Sequence, residues 1–127
     1  MGDQTKFIEN TKVYTSYFAR AIKIIPNRRL LSVALSTPDY FEGAFARQFN
    51  PSPFLIHKIK NKEITPAEYE EAYRKEVLDN LDAKREYEGL AGKVLCCWEK
   101  PDQFCHRHII MAWLQENLGE GIVGGEV

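Results

Sequence analysis

The chain has 127 residues, enough to bury the core of one domain, and its formal net charge is −1. Apolar residues make up 44% of it, and no apolar run approaches the about 20 residues of a membrane helix, which excludes a disordered chain and a membrane-spanning one. The chain has three cysteines and no Cys-x-x-Cys pair, which excludes a disulfide framework. Residues 1–6 show no basic region leading into an apolar stretch, so we expect no secretory signal peptide. Both observations indicate the reducing cytoplasm.

Charge is divided unevenly along the chain. Residues 1–62 contain ten Lys and Arg against four Asp and Glu, whereas residues 63–127 contain seven against fourteen. The basic front half, densest at Arg28, Arg29 and the lysines of 58–62, can attract an anionic partner. The alternative is a solvated surface whose two halves complement each other. We favour this alternative, because domains that bind duplex DNA are usually more basic overall.

Two segments near the start predict strands. Residues 12–17 are rich in β-branched and aromatic side chains, which is typical of a strand. Residues 30–35 form a short apolar run that begins after Pro26-Asn27 and is closed by Thr37-Pro38. The link between the two strands is shorter than a usual crossover helix, so the pattern does not decide whether they are parallel.

The middle of the chain predicts a loop and two helices. Residues 41–53 are aromatic and aperiodic, which indicates a long ordered loop with a helical turn, of the kind that often borders a binding site. Ser52 followed by Pro53 predicts the N-cap and first position of a short helix through Lys60. Thr65 and Glu68 form a capping box, and the helix that it opens carries a core-facing stripe made of Tyr69, Ala72, Tyr73, Val77, Leu78 and Leu81.

The last part of the chain predicts a strand, a helix and an edge strand. Residues 93–98 are a compact apolar strand after Gly89 and Gly92, and Pro101-Asp102 begins a helix that Gly119 ends. Residues 121–127 can add an edge strand. Alternating strands and helices predict an α/β domain of two or three layers, with a mostly parallel sheet of about four strands flanked by helices.

The segment 95–108 predicts the functional site, because it joins the end of a strand to the start of a helix. In open α/β sheets, ligands bind at this junction. Backbone amides and the positive end of the helix dipole favour an anionic group there. We expect Arg107 to add a bidentate contact to that anion.

Three further residues of this segment are candidates for chemistry. Cys105 is expected in the first turn of a helix capped by Asp102, where His106 and Arg107 favour its thiolate. It is therefore a candidate nucleophile or redox-sensitive thiol. The structural alternative is a small buried apolar residue. Glu99 is a candidate general base, a hydrogen-bond acceptor for a ligand hydroxyl, or a residue that orients His106. The structural alternative is a salt bridge to Arg107 or a loop–helix contact. His106 can shuttle a proton or donate to an anion, or it can merely pack against the loop.

The cysteines and histidines of this segment also suggest a metal site, which the sequence argues against. Cys96 and Cys97 are adjacent on a strand and point to opposite faces, and His106 and His108 do not share a helix face. At most two or three ligands can converge, in no recognised zinc spacing, so we expect no metal. Because glycine-rich nucleotide loops and a Gly-x-Ser-x-Gly elbow are absent, we expect no cofactor of those kinds either.

The motifs together resemble a known family. Residues 94–101, followed by Phe104-Cys105-His106-Arg107 and an apolar helix, are similar to the signature of the family called domain of unknown function 488. The resemblance covers residues 12–119 and also includes segments 14–18, 37–38, 50–52 and 69–73. It implies a compact Rossmann-like α/β domain in which Glu99, Cys105, His106 and Arg107 line one pocket, and it implies no assigned activity.

The chain departs from the commoner pattern of that family at one step. Many members carry Asp-x-Arg after the second strand, where this chain has the serine-bounded segment 32–36. The resemblance therefore implies no second acid or base from this strand. It leaves Ser16, Ser32 or Ser36 as neutral substitutes.

We expect residues 1–127 to form one domain, with terminal extensions at 1–11 and 120–127. The leading hypothesis is an enzyme that acts on a small anionic or nucleotide-like substrate, with Glu99, Cys105 and His106 as catalytic residues. The anion would be bound by Arg107 and Ser16, and the pocket rim would be formed by Tyr14, Tyr17, Pro38 and Tyr73. No membrane partner is expected, and the sequence leaves the oligomeric state open.

Two other classes of function remain open at the level of sequence. The first is a non-catalytic module that binds a nucleotide or single-stranded nucleic acid through the basic front half and exposed aromatics. The aromatics that could stack on a base, or else belong to the core or the rim, are Tyr14, Tyr17, Tyr40 and Phe41. The second is an interaction protein in which the Cys-His-Arg segment is only structural. Salt-dependent binding to single strands would support the first.

Overall fold

The computed structural model describes residues 8–100 and 103–127. The expectations for the leader in residues 1–6 and for a helix begun by Pro101-Asp102 lie outside these residues. The strands are β1 Val13–Tyr17, β2 Leu30–Ser32, β3 Ala44–Phe45, β4 Val94–Cys97 and β5 Val123–Glu126. The α-helices are α1 Phe18–Ile24, α2 Pro53–Lys60, α3 Pro66–Glu76, α4 Ala83–Leu90 and α5 His106–Leu118.

The five strands form one parallel sheet in the order β3-β2-β4-β1-β5. On β4, Val94 pairs with Tyr14 of β1, and Cys96 pairs with Ser32 of β2. The predicted α/β class with a mostly parallel sheet is confirmed. The sequence left open whether the first two strands are parallel, and the structure shows that they are. Helix α1 begins directly where β1 ends and carries the chain to β2, which lies on the far side of β4.

The order of the strands places the helices on the two faces of the sheet. The connection from β1 to β2 runs in one direction along the sheet, and the connection from β4 to β5 runs in the other. Because such crossovers are right-handed, α1 and α5 cover opposite faces. Helices α3 and α4, which precede β4, pack with α5. The chain leaves β2 and β4 in opposite directions, so a crevice opens at the carboxyl ends of these two strands.

The core lies on both sides of β4. All four residues of this strand are buried, which explains its continuous apolar sequence, because parallel strands are covered on both faces. Ile110 and Leu114 of α5 are fully buried, and so is Phe18 at the start of α1. In residues 8–100 and 103–127, no helix has the length and apolar character that crossing a bilayer requires.

Several local predictions are confirmed. Ser52 caps α2, its hydroxyl accepting the Leu55 amide hydrogen, and both hydrogen bonds of the Thr65–Glu68 capping box are present at the start of α3. Gly119 ends α5 with a φ of +92°, a conformation that favours glycine. The tail forms the predicted edge strand, β5.

Two elements were not predicted. The expected loop at 41–53 contains β3, whose two residues are both exposed and are too few to show a periodic pattern. The helix expected to continue through Leu81 ends at Glu76, and a separate helix, α4, begins after Asp82. The Asp82 carboxylate accepts the amide hydrogens of Lys84 and Arg85, a capping signal that the continuing apolar spacing had hidden.

Candidate active site

A cavity of about 580 Å³ opens at the carboxyl ends of β2 and β4. One wall is the segment that follows β2, and another is the segment that joins β4 to α5. Helix α2 and the first turn of α3 supply the rest of the lining. The cavity therefore lies at the switch point of the sheet, where ligands bind in folds of this class. Its lining includes Ala34, Leu35, Ser36, Ile56, His57, Lys60, Tyr69, Cys97, Trp98, Glu99, Phe104, Cys105 and His106.

Two thiols and an imidazole meet at this cavity, and we call them the thiol–imidazole cluster: Cys97, Cys105 and His106. The Cys97 sulfur lies 3.8 Å from Nδ1 of His106, and the Cys105 sulfur lies 3.9 Å from the same atom. All three side chains are buried. The three donor atoms lie within 4.8 Å of one another.

The strand-to-helix junction brings the cluster together. Cys97 is the last residue of β4, Cys105 is the N-cap of α5 and His106 is its first residue. Cys105 has extended backbone angles, φ −153° and ψ 144°, so it precedes the helix. The expectation that Cys105 belongs to the first turn is therefore wrong, because α5 begins one residue later.

The His106 ring is held from its far side. Its Nε2–H donates to the carbonyl oxygen of Val33, 2.7 Å away, because a carbonyl can only accept. The Asn50 amide, in the orientation that satisfies its neighbours, donates to the same carbonyl at 3.2 Å. The Tyr73 ring packs against the imidazole with 5.4 Å between centroids. As a result, Nδ1 is the ring atom that faces both sulfurs.

The cluster favours a single negative charge, placed on Cys105. Burial opposes ionisation of this thiol, but hydrogen bonds from Cys97 and His106, the charge of His106 and the Arg107 backbone amide together lower the pKa of Cys105 well below its usual value. The hydrogen bond to Cys105 raises the pKa of Cys97, and burial and the nearby charges of Cys105 and Glu99 raise it further. The two opposite shifts favour a thiolate on Cys105 over one on Cys97.

Glu99 and Trp98 complete this side of the cavity. The half-buried Glu99 carboxylate lies 3.2 Å from the Cys97 sulfur, so it is a second acceptor, besides the Cys105 sulfur, for the one hydrogen of this thiol. The Trp98 indole N–H donates to the carbonyl oxygen of Ser36, which ties the ends of β4 and β2 together beside the opening. The salt bridge to Arg107, which was the structural alternative for Glu99, is not formed, because Arg107 pairs with Glu126.

Arg107 and Ser16 do not line the cavity, which corrects the expectation that they bind an anion there. The Arg107 side chain is fully buried and donates to the Glu126 carboxylate on β5, with Nη2 2.9 Å and Nε 3.3 Å from its oxygens. Ser16 is also buried and donates to the Val127 carbonyl oxygen. The physical reason is the turn of the helix. Successive positions are about 100° apart, so His106 and Arg107 point in different directions.

The four residues predicted to form the rim also lie outside the cavity lining. Tyr14 is buried and its hydroxyl accepts the amide hydrogen of Glu9, while Pro38 is buried and Tyr17 is half-buried. Tyr73 lies behind the cluster, where its hydroxyl donates to the carbonyl oxygen of Phe49. Tyr14 and Tyr73 are core residues rather than rim residues, and the cavity lining is supplied by helix α2 and Tyr69 instead.

Two parts of the cavity lining were not predicted as site residues: Cys97 and the residues of α2. Cys97 and Glu99 are two apart at the end of a strand, and that spacing places both on one face. Ile56, Ile59 and Lys60 of α2 are three to four apart, which places them on one helix face toward the cavity. Both signals are present in the sequence, but only the fold shows that they converge.

Comparison with known proteins identifies one match. The family model DUF488-N3a, described as "Active DUF488-N3 subclade", matches residues 21–118. No curated protein and no solved structure matches the chain. The matched residues contain the whole thiol–imidazole cluster and both strands whose ends border the cavity.

Proposed function

The chain belongs to the DUF488-N3a family, and from this premise we propose that it is an enzyme that attacks a small anionic, nucleotide-like substrate with the thiolate of Cys105. The observation that carries the proposal is the thiol–imidazole cluster at an open cavity of about 580 Å³. A buried thiol with no access and no partners would be inert. Here the thiol has a partner on each side and faces a cavity of a size suited to a small molecule.

Each residue of the site has a role in this proposal. The Cys105 sulfur forms the new bond to an electrophilic atom of the substrate, and His106 supplies from Nδ1 the proton that the leaving group takes. The Val33 carbonyl holds the ring in the orientation that this transfer needs. Cys97 stabilises the thiolate by donating a hydrogen bond to it. Glu99 lines the cavity, where it can accept a hydrogen bond from a substrate hydroxyl.

The cavity walls support the substrate class. Trp98, Tyr69 and Phe104 offer aromatic surface to a planar ring. Lys60 and His57 of α2 belong to the same lining and provide donors for an anionic group. These donors replace the role expected for Arg107. A ligand with a planar base and a phosphate therefore suits this lining, with the reacting atom next to Cys105.

The proposal predicts unusual reactivity of one of the three thiols. We expect iodoacetamide at neutral pH to alkylate Cys105 before Cys96 and Cys97, as identified by peptide mass spectrometry. His106→Gln should slow alkylation about tenfold, because an unperturbed thiol is only a few per cent ionised near pH 7. Cys96→Ala, which changes the cysteine on the other face of β4, is the matched control and should leave the rate unchanged. Equal, slow alkylation of all three thiols would contradict the proposal.

Substrate binding is tested separately, with adenosine monophosphate and inorganic phosphate as probes. We expect adenosine monophosphate to change the fluorescence of Trp98, and Lys60→Gln to weaken its binding about tenfold through loss of a charged donor. Trp98→Phe identifies the signal, because Trp113 is buried in the core. Binding without preferential alkylation of Cys105 would favour the non-catalytic nucleotide-binding module instead. Absence of binding would exclude this substrate class.

A further inference from the structure

The donor atoms of the thiol–imidazole cluster have the arrangement of a metal site with one open position. We propose that Cys97, Cys105 and His106 bind a Zn²⁺ ion through two sulfurs and Nδ1, and that the bound ion masks the nucleophile. The first part stands independently, whereas the masking rests on the proposed function. The proposal departs from the expectation of no metal, which rested on the failure of the five Cys and His residues of segment 95–108 to converge. Cys96 and His108 are indeed outside the cluster, but the other three residues meet.

The distances between donor atoms are close to those of a tetrahedral zinc site. With Zn–S near 2.3 Å and Zn–N near 2.0–2.1 Å, tetrahedral angles give sulfur–nitrogen separations of about 3.6 Å and a sulfur–sulfur separation of about 3.8 Å. The two sulfur–nitrogen distances are 3.8 and 3.9 Å, and no pair of the three atoms exceeds 4.8 Å. Small rotations of side chains suffice to close the remaining gap.

A second observation points to the same ligand set. The His106 ring donates its Nε2–H to the Val33 carbonyl oxygen at 2.7 Å. Histidines that bind metals usually donate their other ring N–H to a carbonyl or carboxylate, which leaves the lone pair of the first nitrogen for the ion. Because the Val33 carbonyl keeps the hydrogen on Nε2, loss of the Nδ1 proton leaves His106 with the tautomer and the ring orientation that a metal ligand needs. Tyr73, packed against the ring, restricts its rotation.

The donor set selects the kind of cation. Two thiolates and an imidazole are soft or borderline ligands, which favour Zn²⁺ and disfavour Mg²⁺ and Ca²⁺. Three protein ligands leave the fourth tetrahedral position for a water molecule or a ligand atom in the cavity. Binding releases two protons, one from the Cys97 thiol and one from Nδ1 of His106. Glu99 lies beside Cys97 and can accept the first, and the second leaves to solvent through the open cavity. No electron is transferred, because the ion displaces protons only.

Metal binding and nucleophilic attack use the same sulfur. A lone pair of Cys105 that coordinates zinc is no longer free to attack a substrate carbon, so the ion-bound protein is a resting state and the ion-free protein is the reactive one. The consequence is that the reactivity of Cys105 is lost when zinc is available. Removal of the ion by a chelator restores this reactivity without any change in the covalent structure.

Cobalt provides the test, because thiolate ligation of Co²⁺ gives a charge-transfer absorption in the near ultraviolet and intense visible bands for a tetrahedral ion. We expect one Co²⁺ per full-length chain, displaced by Zn²⁺ and not by Mg²⁺. Cys97→Ser and Cys105→Ser should weaken binding more than the about 10–100-fold that loss of an outer-shell partner costs. Cys96→Ala is the matched control and should keep the spectrum. No thiolate band, or a band that survives in Cys97→Ser, would overturn the site.

A second measurement uses the unchanged protein and so does not depend on the folding of variants. We expect stoichiometric Zn²⁺ to slow alkylation of Cys105 at least tenfold, and a chelator to restore the rate. Cobalt binding with slow alkylation in the chelated protein would overturn the proposed function and leave the metal site intact. Fast alkylation that Zn²⁺ does not change would overturn the masking by the ion.

Discussion

At the scale of single residues, the site depends on groups behind the cavity as much as on those that line it. His106 faces two sulfurs with Nδ1 only because the Val33 carbonyl takes the hydrogen on Nε2. The Tyr73 ring covers the imidazole, and its hydroxyl is anchored on the Phe49 carbonyl at 2.6 Å. Burial raises the pKa of Tyr73 far above that of a free phenol, so this hydroxyl remains a donor at every physiological pH.

Tyr73→Phe tests that anchor. The substitution removes a buried donor and leaves the Phe49 carbonyl without it, so we expect a loss of about 1–2 kcal/mol in the free energy of unfolding, measured by urea denaturation. Tyr69→Phe is the matched control, since the Tyr69 hydroxyl has no hydrogen-bond partner among residues 8–100 and 103–127. It should cost less than about 0.5 kcal/mol. Equal losses in both variants would show that the Phe49 carbonyl is not the cause.

At the scale of elements, an ion pair joins α5 to β5. The guanidinium of Arg107 is fully buried, and the Glu126 carboxylate accepts from Arg107, His108 and Thr15. Burial works to raise the pKa of Glu126, but these three donors outweigh it and lower that pKa to about 2. The pair therefore couples the last strand to the helix whose first turn carries the imidazole of the thiol–imidazole cluster.

Replacing Glu126 should change how stability depends on pH. The pKa of Glu126 is lower in the folded chain than in the unfolded chain, so the unfolded chain binds more protons between about pH 2 and pH 4.5. The stability that the carboxylate contributes is therefore complete above pH 4.5 and falls as the pH approaches 2. We expect Glu126→Gln to lower the free energy of unfolding by about 2 kcal/mol at pH 7. The difference from the wild-type chain should shrink on acidification, as followed by thermal unfolding.

A surface ion pair supplies the control for that experiment. Arg74 donates from Nη1 and Nη2 to the two oxygens of Glu116, each at 2.9 Å, but that carboxylate is exposed to solvent. Glu116→Gln should therefore lower the free energy of unfolding by less than about 1 kcal/mol, and it should change little how that free energy falls at acid pH. An effect as large as that of Glu126→Gln would mean that burial of the Arg107 pair is unimportant.

At the scale of the whole molecule, the predictable features are those encoded in neighbouring residues. The strands β1 and β4, the capping box of α3 and the junction carrying Glu99, Cys105 and His106 follow from contiguous patterns. Strand β3 does not, because two exposed residues carry no periodicity. The pairing of Arg107 with a carboxylate 19 positions later also depends on how α5 is rotated against the sheet, which local spacing does not determine.

Because β5 completes the sheet, its removal should affect the whole molecule rather than one end of it. Strand β1 is almost entirely buried and pairs with β5 through Val13–Val123 and Thr15–Glu126. A chain that stops after Gly119 exposes the backbone donors and acceptors of β1 as a free edge, and it leaves the Arg107 charge buried without its partner.

We expect this truncation to lower the free energy of unfolding by more than about 3 kcal/mol and to promote association through the exposed edge. Thermal unfolding and size-exclusion chromatography measure the two effects. Glu126→Gln in the full chain removes the carboxylate and keeps the strand, so it separates loss of charge from loss of pairing. If the truncated chain stays monomeric and as stable as Glu126→Gln, the edge strand contributes only through its carboxylate. In that case α5 and the cavity at its first turn do not need β5 as a strand.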